Sequence, residues 1–273
     1  MTSKTITAIV GDFQIGSTTA LATPQFEKST NDTNEKQVIQ ANRLQQWIWG
    51  NWIDYWDYIR TLTGARGKHR KHRLIVVCLG EFIDGIHHGT TQVLNEIEDQ
   101  ITLARNIFEP IVEGCDGFYG VVGTEAHSGK NGNTDKQIYS HFQAQEYGQH
   151  LLLDIDGVLM DFAHHGRVGR RPWTSQASAV ATEIMVDCAE QGSPIPRYAF
   201  RGHNHVVDDS GEKFPQIRII GCPSWQLKTS FGWRVSSQRT RSDIGGVIVD
   251  GDRLDFSRSR YKAQPDGRRV ITV

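Results

Sequence analysis

Nowhere in the 273 residues is there a run approaching the roughly 18 apolar residues that a bilayer span requires, so no membrane partner is expected. The apolar part of the N-terminal "MTSKTITAIVGDF" is too short for a secretory leader, and the expected location is the cytoplasm. Cysteine is sparse. Cys78, Cys115, Cys188 and Cys222 lie far apart without a C-x-x-C pair, and most fall in or beside apolar runs, so reduced, buried thiols are expected rather than disulfides or metal ligands. Charge of one sign is missing as well: 30 Lys and Arg against 31 Asp and Glu leave a formal net charge of −1, which gives no bulk attraction to nucleic acid or anionic lipid. Any such binding has to be local. No internal repeat is visible.

What is present is an α/β pattern. "TITAIV" (5–10) and "LIVVCLG" (74–80) read as buried strands, each running into a loop that begins with an acidic residue. The polar stretch 23–36 reads as an insertion. After it, Ala41, Leu44, Ile48, Trp52, Tyr55, Ile59 and Leu62 recur at three- and four-residue steps and make the apolar face of a helix. Trp47, Trp49 and Trp56 fall partly off that face and are expected to pack elsewhere in this chain. Further along, the pattern predicts a helix from about Gln92 to Val112, a strand at 117–123, a helix from about Asp135 to Gln149 and a hairpin over 151–165 turning at Asp156-Gly157. A helix from about Ser175 to Gln191, a strand at "RYAF" and C-terminal strands "QIRIIG", "GGVIVD" and "RLDFSRSRYKA" complete it. The basic run "RGKHRKHR" (66–73) reads as a solvated loop, and "WQLKTSFGWR" (225–234) as a hairpin with core aromatics rather than a base-stacking surface. Together these elements argue for one layered α/β domain over residues 1–273.

The chemistry-bearing residues gather at one kind of place. Asp12 follows the first strand, Glu81 and Asp84 the second, Glu125 and His127 the third; His164 and His165 follow the hairpin, and His203 and His205 the next strand. These are carboxyl ends, where ligands bind in an open α/β sheet. Seven of the eleven histidines (His87, His88, His127, His164, His165, His203, His205) sit in these loops, and so many imidazoles and carboxylates together point to a metal site. Oxygen and imidazole donors without thiolate suit Mn, Fe, Zn or Ni, as one or two divalent ions.

The ordered set "GDFQ" (11–14), "GEFID" (80–84), "GTEAH" (123–127), "HHG" (164–166) and "GHNH" (202–205) resembles the calcineurin-like metallophosphoesterase superfamily, whose pattern is D-x-H, G-D-x-x-D, G-N-H-D/E, H and G-H-x-H. The resemblance covers roughly residues 5–260. It implies a four-layered α/β/β/α sandwich of two mixed β-sheets with a metal centre at its edge. It further implies that Asp12 and His205 bind the first metal, that Glu81 stands where the bridging aspartate belongs, and that His203 with either His164 or His165 binds the second. Asp84 matches the carboxylate that orients the catalytic histidine, for which His127 is the candidate, two positions later than the pattern expects. The departures are Gln14 in place of a ligand histidine, Glu81 in place of aspartate and Thr124 in place of a ligand asparagine, with Glu125 or His88 as possible substitute donors. The compact form is most similar to members encoded by phages and prophages, which would place it in a host cytoplasm.

Phosphate-ester hydrolysis follows as the expected activity, with phosphodiesters of nucleotides or nucleic acid as substrates. Arg167, Arg170 and Arg171, directly after the histidine pair, could clamp phosphate oxygens through bidentate guanidinium forks. The alternative is a catalytically degenerate member that binds nucleic acid or a protein partner without turnover, which the losses at Gln14 and Thr124 would favour.

Overall fold

The two continuous apolar runs of the sequence lie side by side at the centre of the molecule, paired in parallel from Thr5↔Arg73 to Val10↔Cys78. The computed structural model describes residues 3–30, 33–65, 69–87, 89, 91–165, 176–235 and 241–262. In chain order the elements are β1 (Thr5–Val10), β2 (Gln25–Thr30), β3 (Thr33–Gln40), α1 (Arg43–Thr63), β4 (Arg73–Cys78), α2 (Ile97–Glu113), β5 (Gly117–Val121), α3 (Glu125–Ser128), α4 (Asn133–His141), β6 (Glu146–Gly148), β7 (His150–Ile155), β8 (Val158–Ala163), α5 (Gln176–Gln191), β9 (Tyr198–Arg201), β10 (Asp208–Asp209), β11 (Arg218–Gly221), α6 (Ser230–Val235), β12 (Val247–Asp250) and β13 (Arg253–Asp255).

One sheet has the order β13-β12-β1-β4-β5-β6, with β1, β4, β5 and β6 parallel, β12 antiparallel to β1 and β13 antiparallel to β12. The second runs β10-β11-β9-β8-β7, with β8, β9 and β11 parallel. Alternate side chains of the central strands explain the layering. Ile9, Ile75, Val77 and Leu79 meet Met160, Phe162, Phe200 and Ile220 between the two sheets. Ile6, Ala8, Val76 and Cys78 face the other way, toward Ile48, Trp52 and Tyr55 of α1 and Ile101, Ala104 and Phe108 of α2. On the far side, Val180 and Ala181 of α5 cover Ala199 and Ile219. The result is the four-layered α/β/β/α sandwich of two mixed sheets. The hairpin turns at Asp156 (φ 53) and Gly157 (φ 82), as expected. All four cysteines are free, and Cys78, Cys188 and Cys222 are buried. Trp56 is buried in the main core, with Trp47 and Trp49 packed at its edge. Among the described residues no helix is long and apolar enough to cross a membrane.

The polar stretch expected as an insertion falls largely in the antiparallel pair β2 and β3, tied down by Phe26 in the core and by the Ser29 N–H and hydroxyl, which donate to the Asp99 carboxylate on α2 (2.8 and 2.7 Å). Three local expectations are corrected. Helix α2 begins at Ile97 rather than Gln92, because the N–H groups of Val93 and Leu94 are taken by the carbonyl of Gly16. Helix α4 ends at His141, two residues before Gln143 adopts φ 51, and the chain then adds β6 as an edge strand. Within 225–234, Trp225 is core, but residues from Ser230 turn as the short helix α6 rather than a hairpin. In the described part of the basic run, Arg70 contacts Asp116 (3.0 Å) and Arg73 contacts Asp156 (3.4 Å).

Candidate metal centre

The β1–β4 pairing does not stop at the strand ends. Asp12 N–H donates to Gly80, Phe13 and Gln14 N–H to Glu81, and Ile15 N–H to Phe82, so the two acidic loops run on together beyond the sheet. A loop from the second sheet joins them, with Trp225 N–H donating to the Asp12 carbonyl (3.0 Å). This brings Asp12 and Glu81, both essentially inaccessible to solvent, to the carboxyl ends of β8 and β9.

Glu81 sits in the middle. Its Oε1 accepts from the Thr124 hydroxyl and N–H and lies 3.1 Å from His164 Nε2. Its Oε2 accepts from Gln14 Nε2 (2.8 Å) and lies 3.9 Å from His127 Nε2. Asp12 Oδ1 is 3.4 Å from His205 Nε2 and 4.0 Å from His164 Nε2, and both Asp12 oxygens accept from the His203 N–H at 3.1–3.2 Å. Asp12 (φ 52), Gln14 (φ 45), Glu81 (φ 58), His203 (φ 69) and His205 (φ 57) all occupy the left-handed region, which is unfavourable for residues with a Cβ and clusters at functional sites. Gly202 has to lack a side chain, since a Cβ there would come within 2.9 Å of Asp12 Oδ2.

Three groups of side chains present donor atoms close enough to share an ion: Asp12, Glu81 and His205; His164, His165 and His203; and Asp84, His87 and His127. Of the adjacent histidines, His164 is buried, donating through Nδ1 to the Leu79 carbonyl (2.6 Å) with Nε2 toward Glu81, whereas His165 is exposed and lies against the His203 ring, 4.4 Å between centroids. His127 donates through Nδ1 to the main-chain carbonyl of Asp84 (2.7 Å), and its Nε2 faces Gln14. Glu125 is not brought to this centre; it is exposed and its carboxylate accepts from Asn131 N–H. His88, Arg167, Arg170 and Arg171 lie outside the described residues.

The electrostatics fit a place built to hold positive charge. Burial alone would raise the Glu81 carboxyl, but the charge of His164 and then of His127, with the Thr124 hydroxyl, carries it well below the usual range. Burial would lower His164, yet Glu81 and Asp12 beside it lift it to about 10. His205 is likewise raised against burial by Asp12, while burial and the neighbouring His164 charge push His203 down to about 4. One buried atom here, Gln14 Oε1, has no hydrogen-bond partner, as expected where a cation completes the donor set.

Asp135 was not visible in the sequence as a site residue. It lies wholly buried in the first turn of α4 and accepts from the N–H groups of Glu81 (3.0 Å), Gly123 (2.9 Å) and Phe82 (3.1 Å) and from the Ser128 hydroxyl (2.6 Å). It thus fixes the second and third loops against each other. An acidic residue in a first helical turn ordinarily reads as a partner of the helix dipole, so spacing carried no signal for this role.

No family model matches the chain, and no curated protein matches it. Among solved structures, vacuolar protein sorting 29 from Cryptosporidium parvum is similar at 9% identity with a TM-score of 0.44, covering 91% of this chain and 86% of that one. The same protein from Entamoeba histolytica, complexed with zinc, is similar at 9% identity with a TM-score of 0.42, covering 91% and 88%. A novel archaeal phosphodiesterase is similar at 8% identity with a TM-score of 0.41, covering 90% and 93%. At such identities each likeness is one of fold alone.

Proposed function

We propose that the chain is a metal-dependent phosphoesterase whose substrates are phosphodiesters of nucleotides or nucleic acid. The observation that carries this reading is Glu81, whose two carboxylate oxygens face opposite ways, one toward His164 and the other toward Gln14 and His127, as a carboxylate shared by two ions would. Asp12, Glu81, His164, His203 and His205 would hold one or two divalent transition ions, with Gln14 as a weaker amide donor. The partnerless Gln14 Oε1, and the two buried carboxylates within 4.0 Å of His164 Nε2, support that fit. When bound, such ions offset the charge that develops on the attacking and leaving oxygens and bring the ionisation of water toward neutral pH.

The chain's own residues supply position and proton movement. The His203 N–H fixes the Asp12 carboxylate, and Thr124 fixes the inner oxygen of Glu81. His127, oriented by the Asp84 carbonyl, presents Nε2 toward the centre, where it can move a proton to a leaving oxygen. Metal analysis of the purified protein, paired with hydrolysis of bis-(p-nitrophenyl) phosphate against p-nitrophenyl phosphate in Mn, tests the reading. Bound metal and faster diester hydrolysis are expected; folded protein with neither sinks it. A second reading, a protein that binds nucleic acid or a protein partner without turnover, is favoured by one contact: the Gln14 amide donates to Glu81 Oε2 where the family pattern has a ligand histidine.

A further inference from the structure

Beside the metal centre opens a pocket of about 250 Å³ whose walls include His203, His205, Gln226, Lys228, Thr229 and Arg241. Two histidines of the centre therefore form a shared wall, and a group in the pocket neighbours a group held at Asp12, 3.4 Å from His205 Nε2. Lys228 and Arg241 make the lining cationic, and no Asp or Glu is among the described residues that line it. The Lys228 ammonium lies over the Trp233 ring, 4.5 Å from its centroid, which holds it in one place.

Gln226 gives the second, independent sign of a ligand. It is only 5% exposed, and its Nε2 has no hydrogen-bond partner. A buried amide donor left unpaired is destabilising and uncommon, and it asks for an acceptor that arrives from outside the chain. An acceptor next to two cationic side chains is an anionic oxygen. The stretch 225–234, whose mixture of aromatic and basic residues stands out in the sequence, thereby acquires a role that is neither core hairpin nor base-stacking surface.

We propose that this pocket is a subsite for a second phosphate group of the substrate, adjacent to the ester that is cleaved. It rests on the phosphoesterase reading and narrows it: the substrates are nucleotides or oligonucleotides with neighbouring phosphates, not isolated diesters.

The test measures binding and turnover separately. Calorimetry on EDTA-treated protein compares thymidine 3′,5′-bisphosphate with thymidine 5′-monophosphate. Wild type is expected to prefer the bisphosphate by about tenfold or more, the scale of one charge-assisted hydrogen bond. Gln226→Leu, which removes the partnerless donor together with the amide oxygen and nearly preserves volume, and Arg241→Gln are each expected to remove most of that preference while leaving monophosphate affinity within about twofold. Matching thermal melts establish that the variants are folded. In Mn, the same substitutions are expected to raise KM for thymidine 3′-phosphate 5′-(p-nitrophenyl phosphate) and to leave bis-(p-nitrophenyl) phosphate hydrolysis unchanged. Equal affinity of wild type for the two nucleotides, or a preference that survives both substitutions, overturns the subsite. A preference that both variants lose, without hydrolysis of any ester, overturns the phosphoesterase reading and leaves the pocket as an anion site.

Discussion

His127 Nδ1 lies 2.7 Å from the main-chain carbonyl of Asp84 but 3.9 Å from the Asp84 carboxylate, which instead accepts from Gln92 (2.6 Å) and faces His87 (3.4 Å). The sequence pattern led to the opposite expectation, that the carboxylate would orient the imidazole. A carbonyl can only accept, so Nδ1 carries a proton and the other ring nitrogen is the one turned to the centre. His127→Ala is expected to slow esters of poor leaving groups, such as nucleoside alcohols, by roughly 10²–10⁴-fold. Esters of p-nitrophenol should suffer much less, and metal content should be unchanged. Loss of a metal with equal slowing of both ester classes would make His127 a ligand instead.

The adjacent histidines should separate cleanly. His164, buried with Nε2 toward Glu81, is expected on substitution by Ala to lose metal and activity together, whereas exposed His165→Ala should retain more of both. His205→Ala should resemble His164→Ala, since its Nε2 faces Asp12. Metal stoichiometry by mass spectrometry of the native protein decides; wild-type metal content in His205→Ala would remove that residue from the site.

Gln14 points into the centre, within 3.3–3.4 Å of His127 and His205. Gln14→His exchanges a weak amide donor for an imidazole and should tighten the weaker ion by about tenfold, the scale of a single change around a bound metal. Competition with a fluorescent chelator would measure it, and unchanged affinity would count against ligation from this position.

Proton release should accompany metal uptake. With His164 lifted to about 10, the metal-free protein carries a proton there at pH 7 that a ligating imidazole has to give up. Affinity should therefore fall as pH falls. Calorimetry in two buffers of different ionisation heat should show release of about one proton or more with the first ion; no buffer dependence would contradict it.

Asp135→Asn keeps size but presents an N–H where only acceptors fit. Destabilisation of about 1–3 kcal/mol by urea unfolding is expected, together with weaker metal binding, because the Glu81 loop loses its anchor. Wild-type stability would mean that the loops hold themselves.

The central strands were legible because burial on both faces leaves runs without a charged residue at 5–10 and 74–78, and the Asp156-Gly157 turn because its backbone demands residues that tolerate positive φ. The loop order of Asp12, Glu81, His164 and His205 was legible for a related reason, since strand ends in a parallel sheet all point one way. What escaped was set by contacts distant in sequence. The start of α2 depends on the Gly16 carbonyl, the hairpin at 25–40 on Asp99, and the register of two loops on Asp135. None of these partners leaves a trace in local periodicity.

Five of the residues around the centre hold left-handed backbone, and each such residue costs of order 1–3 kcal/mol. That is local energy committed to one edge for the sake of geometry. Glycine at His203 or His205 would relieve part of that cost while erasing the chemistry, so a screen for heat resistance alone would drive this chain toward sturdier and inert descendants.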